Sequence, residues 1–275
     1  MWSHMITSVN PLRLGVVPYL NVQPLIWTLQ SERKKESPRV DILAARPREL
    51  AAQLELGKHH AAIVPVFEYL CRPDLYNIVP SVSIAAREEV YSVLLFSSVE
   101  VDAIKRVHLD PASLTSVNLL KVLLAEREIK PEFTTASWQP GSLLARGDAA
   151  LLIGDPAIQE RDLHPFQYDL GVLWKALTSR PFVFAAWLVH RAAWDLPLNE
   201  LLLTAKEAGV ERFEEIAREA GPQFGVLADE ALRYYRENLC YDLGPEEMAG
   251  WRRFAELCAK HGLSEGVPEF RMHNH

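Results

Sequence analysis

The sequence predicts an α/β protein of two domains joined by two crossing strands, with a cleft between them. Short apolar runs alternate with helical spacing across residues 12–65, the pattern of a βαβαβ unit. Two long, unbroken β-forming runs, 90–97 and 182–189, bracket a compact middle segment. There is no Pro-, Gly- or Ser-rich linker, so strands rather than a flexible tether make the connection. The expected division is a discontinuous first domain of residues 1–91 and 185–275, with 92–184 inserted as the second.

Residues 12–17 read as a buried strand. Pro18, Asn21 and Pro24 then supply a turn, a capping side chain and a first-turn proline before helical spacing resumes at Leu25. A polar turn over 30–39 leads to a strand at 40–44. An amphipathic helix over 47–56 closes with Gly57 at its C′ position, and 61–65 is the next buried strand. A short helix at 66–71 and an extended piece at 78–84 complete the opening unit. In the middle segment, a strand at 106–109 runs into a helix that begins near Ser113 and continues to 124. A strand at 132–135, a short helix at 142–144 and a small-residue strand from Gly147 to Asp155 follow. Beyond 189 the chain reads as helices at 198–208, 210–219, 226–237 and 246–261, broken at Gly209, Gly221, Gly244 and Gly262. One domain inserted in another through two crossing strands is the architecture of the type II periplasmic-binding-protein fold, whose halves can close on a ligand.

Composition narrows the partners. The chain has 275 residues, 49% of them hydrophobic, and a formal net charge of −7, with no basic run denser than Arg33-Lys-Lys35. That argues against nucleic acid or an anionic membrane surface as the main partner. An anionic ligand must then be held by local dipoles and hydroxyls. No apolar stretch is long enough to span a bilayer, and no charged region followed by an apolar run opens the chain. Ser3-His-Met5 is left out of the fold reading. Cys71, Cys240 and Cys258 are far apart and read as buried thiols, so a cytoplasmic location is expected. His59 and His60 are adjacent and diverge, His190 and His261 stand alone, and His273 and His275 belong to a polar tail, so no metal site is expected. Nucleotide-binding and serine-hydrolase motifs are absent too. The sequence carries no mark of oligomeric state.

Polar residues collect at three strand-to-helix edges, where free N–H groups and helix dipoles face a crevice. Tyr19 and Asn21 stand at the first, Ser113, Thr115 and Ser116 at the second, Gly154 and Asp155 at the third. Ser92, on the first crossing strand, would lie on the floor of the cleft. Asn21 and Asp155 are each open to two roles, helix cap or cleft-facing group. The three hydroxyls read as an anion site, since a cap requires only one. Glu68 reads as a helix-surface residue.

These motifs resemble those of a known family. Tyr19-Leu-Asn-Val-Gln-Pro-Leu25 resembles the Tyr/Phe-Leu-Asn-x-x-Pro-Leu signature of the chorismate dehydratases of the futalosine route to menaquinone. Ser113-Leu-Thr-Ser-Val117 resembles the family's Ser-x-Thr-Ser helix start, and Ala150-Leu-Leu-Ile-Gly-Asp-Pro-Ala157 its Leu-Ile-Gly-Asp-x-Ala segment. Leu173-Trp-Lys with Arg180-Pro-Phe-Val-Phe-Ala-Ala-Trp187 resembles a further block, departing at Arg180 where the family usually has Leu. The Ser-Pro-Cys-Pro-Asn-Asp-type opening of the later lyase of that pathway is missing.

The resemblance implies loss of water from chorismate to give 3-[(1-carboxyvinyl)oxy]benzoate, with no metal or redox cofactor because the ring becomes aromatic. Thr115 and Ser116, with their helix N-terminus, are then assigned to a substrate carboxylate. Tyr19, Ser113 and Gly154 complete the binding set, and Asn21 and Ser92 hold the enolpyruvyl side chain and the reacting edge. The resemblance allows the substrate's own side-chain carboxylate to take the proton, with Asp155 as an alternative base or orienting group. Two other classes share the fold: a solute-binding protein without chemistry, and the ligand-sensing part of a transcription factor. The second would need a basic DNA-binding segment that this chain lacks.

Overall fold

The strands of the computed structural model, which describes residues 11–30, 40–111, 113–135, 139 and 141–275, fall into two five-stranded sheets. In chain order the strands are β1 (Leu12–Val16), β2 (Val40–Ala44), β3 (Ala61–Pro65), β4 (Tyr76–Ala86), β5 (Val93–Ser97), β6 (Arg106–His108), β7 (Glu132–Thr134), β8 (Asp148–Ile153), β9 (Phe166–Asp169) and β10 (Phe182–His190). The helices that matter for the cleft are α1 (Gln23–Ile26), α2 (Pro47–Glu55), α3 (Phe67–Cys71), α4 (Thr115–Ala125), α5 (Asp155–Gln159), α6 (Leu170–Thr178), α7 (Leu198–Val210), α8 (Phe213–Ala220), α9 (Ala228–Arg233) and α10 (Pro245–Lys260). Most of the polar turn expected over 30–39, the Arg33–Lys35 run and the first ten residues lie outside the described residues.

The first sheet runs β2-β1-β3-β10-β4 and the second β7-β6-β8-β5-β9. Each has three parallel strands followed by an antiparallel fourth. In each sheet that fourth strand comes from across the molecule: β10 returns to the first sheet after the second is complete, and β5 enters the second directly from β4. Two chain connections therefore join the sheets. β3 is buried at every position, as an apolar strand central to a sheet covered on both faces should be.

Regular pairing in the run 90–97 begins only at Val93. Upstream, Val90 and Tyr91 donate their N–H groups to the Asp169 carboxylate instead of to a strand, and Tyr91 has φ +69°. The same carboxylate caps α6 through Gly171 and Val172, so one side chain fixes both the entry to the second sheet and the start of the helix that leaves it. β9 and α6 were not anticipated, because β9 is four half-buried residues without alternation.

The short helix expected at 142–144 is irregular chain. Leu143 is 98% exposed, so a turn there has no apolar face to bury and nothing offsets its nucleation. The helix expected over 226–237 ends at Arg233 and widens into a π turn, Tyr234–Asn238, where the Tyr234 and Tyr235 hydroxyls leave the helix to bond elsewhere. Around β10, Trp174, Phe182 and Phe254 pack edge to face, locking α6 and α10 onto the first sheet beside the crossing.

Candidate active site

The ends of β1, β3 and β8 and the start of α4 converge on one cavity between the sheets. Tyr19, Asn21, Ser92, Ser113, Thr115, Ser116 and Gly154 all line it, with walls from Val17, Pro65, Ile84 and Phe184. Asp155 does not. No Lys, Arg, His, Asp or Glu lines the cavity among the described residues, so whatever it holds meets hydroxyls, one amide, backbone N–H groups and apolar surface.

Asn21 lies in a short 3₁₀ turn, Leu20–Val22, ahead of α1, and caps neither: Tyr19 and Val22 occupy the cap positions without side-chain bonds. Of the two roles open to it, the cap is excluded. Its side chain lies beside the Tyr234 hydroxyl, and its Oδ1 is buried without a partner. The turn is held from three sides. Asp155 Oδ1 accepts from the Leu20 N–H at 3.2 Å, the Tyr235 hydroxyl donates to the Leu20 carbonyl at 3.1 Å, and the Tyr241 hydroxyl donates to the Asn21 carbonyl at 2.9 Å.

Asp155 is the first residue of α5, and Gly154 occupies its cap position. The carboxylate thus ties the second sheet's edge to the first sheet's turn rather than capping its own helix. Burial pushes its pKa up to about 6, with the Leu20 N–H pulling the other way. Gly154 has φ 68° and ψ −150°, a region for glycine alone, and a Cβ there would stand 2.9 Å from Tyr19 Cδ1. The Tyr19 ring lies flat against that glycine. Burial first, then Asp110 and Asp155, pushes the Tyr19 phenol up to about 12.

At the start of α4, Leu114 holds the cap position and no side chain caps the helix, so the three hydroxyls are not spent on capping. Thr115 Oγ1 accepts from the Phe67 N–H at 3.1 Å, which binds α4 to α3 across the cleft while leaving the Thr115 hydrogen free to be donated. Ser92 Oγ accepts from the Tyr234 hydroxyl at 2.7 Å, and its carbonyl receives the Gly154 N–H at 2.8 Å. Pro47 brings a second helix N-terminus, that of α2, to the cavity. Its first-turn proline was visible in the sequence; Tyr234, Tyr235 and Tyr241 had no such signal. Glu68, expected on a helix surface, is buried and bonded to Tyr76 and Arg72 away from the cavity. No cluster of His, Cys, Asp and Glu suited to a metal occurs among the described residues, and no helix is long and apolar enough to cross a membrane.

The menaquinone biosynthesis family model matches residues 12–260. The chorismate dehydratase of Thermus thermophilus is 32% identical over 268 residues, covering 90% of this chain and 95% of that protein. A crystal structure of an Archaeoglobus fulgidus protein superposes with a TM-score of 0.70 at 16% identity, covering 92% of this chain and 98% of that one. The periplasmic aliphatic sulphonate binding protein of Escherichia coli gives 0.66 at 19%, covering 96% and 92%. A Candida albicans protein described as having the generic periplasmic binding protein fold also gives 0.66, at 10% identity, covering 97% and 98%. These structural likenesses establish the fold.

Proposed function

The chain belongs to the menaquinone biosynthesis family, and from that membership we propose that it is a chorismate dehydratase, a hydro-lyase that converts chorismate to 3-[(1-carboxyvinyl)oxy]benzoate and water. The observation that carries the reading is the cavity itself: six polar or glycine positions of the family-like motifs, far apart in sequence, line one space free of formal charge together with Ser92.

Chorismate is a dianion. The hydroxyls of Thr115 and Ser116, the free first-turn N–H groups of α4 and the α2 N-terminus form a donor set suited to a carboxylate. Each hydrogen bond to a charged acceptor contributes about 1.5–3 kcal/mol. In the dehydration the C3–H bond breaks and its electron pair becomes the new C3–C4 π bond. The C4–O bond breaks with its pair on oxygen, and that oxygen leaves as water with the proton taken from C3. Aromatisation drives the step. What the protein supplies is orientation, and exclusion of water from a substrate prone to other reactions.

No cavity residue is a strong base, which supports the substrate's side-chain carboxylate as proton acceptor. Asn21 and Ser92 then hold the enolpyruvyl side chain and the reacting edge, and Asp155 orients the Asn21 turn through Leu20. Tyr19 and Gly154 form one wall. The two halves, parted near residues 91 and 185, act as the two closing bodies. The free thiols Cys71, Cys240 and Cys258 suit a cytoplasmic site of action. The test is to mix purified protein with chorismate and record the product's mass and proton spectrum. Loss of one water with four aromatic ring protons supports the enzyme; tight binding with chorismate unchanged points instead to a solute-binding module.

A further inference from the structure

The Tyr234 hydroxyl stands behind both polar groups assigned to the reacting edge. It is buried, it donates to Ser92 Oγ at 2.7 Å, and it meets the Asn21 amide. A phenol has one hydrogen and is a better donor than an aliphatic hydroxyl, so with that hydrogen on Ser92 it has none left to give to Asn21. Two consequences follow. Ser92, having accepted, keeps its own hydrogen for the cavity it lines. Asn21, beside a phenol whose hydrogen is already given away, keeps an Oδ1 that is buried and unpartnered. An unmet buried acceptor is costly and calls for an explanation.

The two leftover valences, one donor and one acceptor, match one hydroxyl group. The chorismate dianion carries a single O–H, at C4, and that is the group that leaves. We propose that Tyr234 is a positioning residue that directs the Ser92 hydrogen onto the departing C4 oxygen and reserves Asn21 Oδ1 for the C4 hydroxyl hydrogen. The proposal rests on the chorismate reading and deepens it. The Tyr234 O–H bonded to Ser92 polarises the Ser92 O–H that follows it. No proton leaves the tyrosine: burial pushes its phenol far above the ordinary value, so it remains a fixed donor while the water formed takes its proton from C3. The π turn is what brings this hydroxyl to Ser92, 142 residues away in sequence.

The experiment is a cycle of wild type, Tyr234→Phe, Ser92→Ala and the double variant, each with a melting curve and with kcat and KM for chorismate measured separately. Tyr234→Phe keeps the ring that packs on Tyr91 and Tyr235 and removes one oxygen. The expected result is a 10- to 100-fold loss of kcat with KM changed less than threefold, and a double variant within threefold of Ser92→Ala alone. A purely structural role would lower the melting temperature and leave kcat. A folded Tyr234→Phe with kcat within twofold of wild type, or losses that multiply in the double variant, overturns the proposal. Should Tyr234→Phe melt below the assay temperature, Ser92→Ala carries the test: a 10- to 100-fold loss of kcat with KM changed less than threefold is expected, and a kcat within twofold of wild type overturns the arrangement. A wild type that turns over no chorismate removes the underlying reading, an outcome distinct from all of these.

Discussion

Asn21 lines the cavity with an Oδ1 that no protein group meets, so a charge placed at this position decides what the cavity accepts. Asn21→Asp places a carboxylate against a dianion, and like-charge juxtaposition costs several kcal/mol. Turnover should fall at least ~100-fold, since each 1.36 kcal/mol is about a factor of ten. Asn21 caps no helix, so the melting temperature should move by only a few degrees. Near-normal turnover in a stable variant would remove Asn21 from the site. Thr115→Val does two things, deleting a donor to the ligand and leaving the Phe67 N–H buried without its acceptor. KM should rise about tenfold and stability drop by about 1–3 kcal/mol, with Thr115→Ser restoring both; an unchanged KM would reduce Thr115 to a cross-cleft tie. Tyr19, Asn21 and the three hydroxyls were legible in the sequence because each stands where a strand hands over to a helix. The partner of Asp155, a backbone N–H 135 residues away, was not, and neither was the tyrosine behind Ser92. Local patterns say which residues stand at an edge; only the fold says which edges meet.

At the scale of elements, α5 is joined to the turn before α1 through a single buried carboxylate. The Asp155 pKa of about 6 lies above the unfolded value near 3.9, so folding favours the protonated form. Its contribution is then fully present below about pH 4 and is lost as pH rises through about 6. Asp155→Asn keeps an oxygen for Leu20 and removes the charge. Its melting temperature should exceed that of wild type at pH 8, by an amount equivalent to on the order of 2 kcal/mol, and the gap should vanish near pH 4. Because Asp155 is absent from the cavity wall, turnover at pH 8 should stay within tenfold of wild type; abolished turnover in a stable variant would make Asp155 the base. The long elements were legible because their apolar pattern is sustained, as in the unbroken run of β10 and the helical spacing of α10. The elements that failed are those decided by remote polar groups: the start of β5 is set by Asp169, and the π turn after α9 by hydroxyls that reach Ser92 and Leu20.

Over the whole molecule, two sheets of matching strand order exchange their antiparallel strands, and hydrogen bonds from Thr115, Asp155 and Ser92 tie the two halves together across the cavity those residues surround. The groups that close the cleft thus stand beside those that face the ligand, which links closure to occupancy and lets a dry cavity form around a dianion. The wall carries no formal charge among the described residues, so under the proposed function the burden of anion binding falls on oriented dipoles. The most direct measurement is a proton NMR time course of chorismate with the wild-type chain and with Asn21→Asp, in buffer containing a metal chelator. The account predicts that the wild type converts chorismate stoichiometrically to the aromatic enol ether at a rate the chelator does not change, while the Asn21→Asp sample stays at the uncatalysed rate. No aromatic product from the wild type, or equal rates from the two proteins, would contradict it.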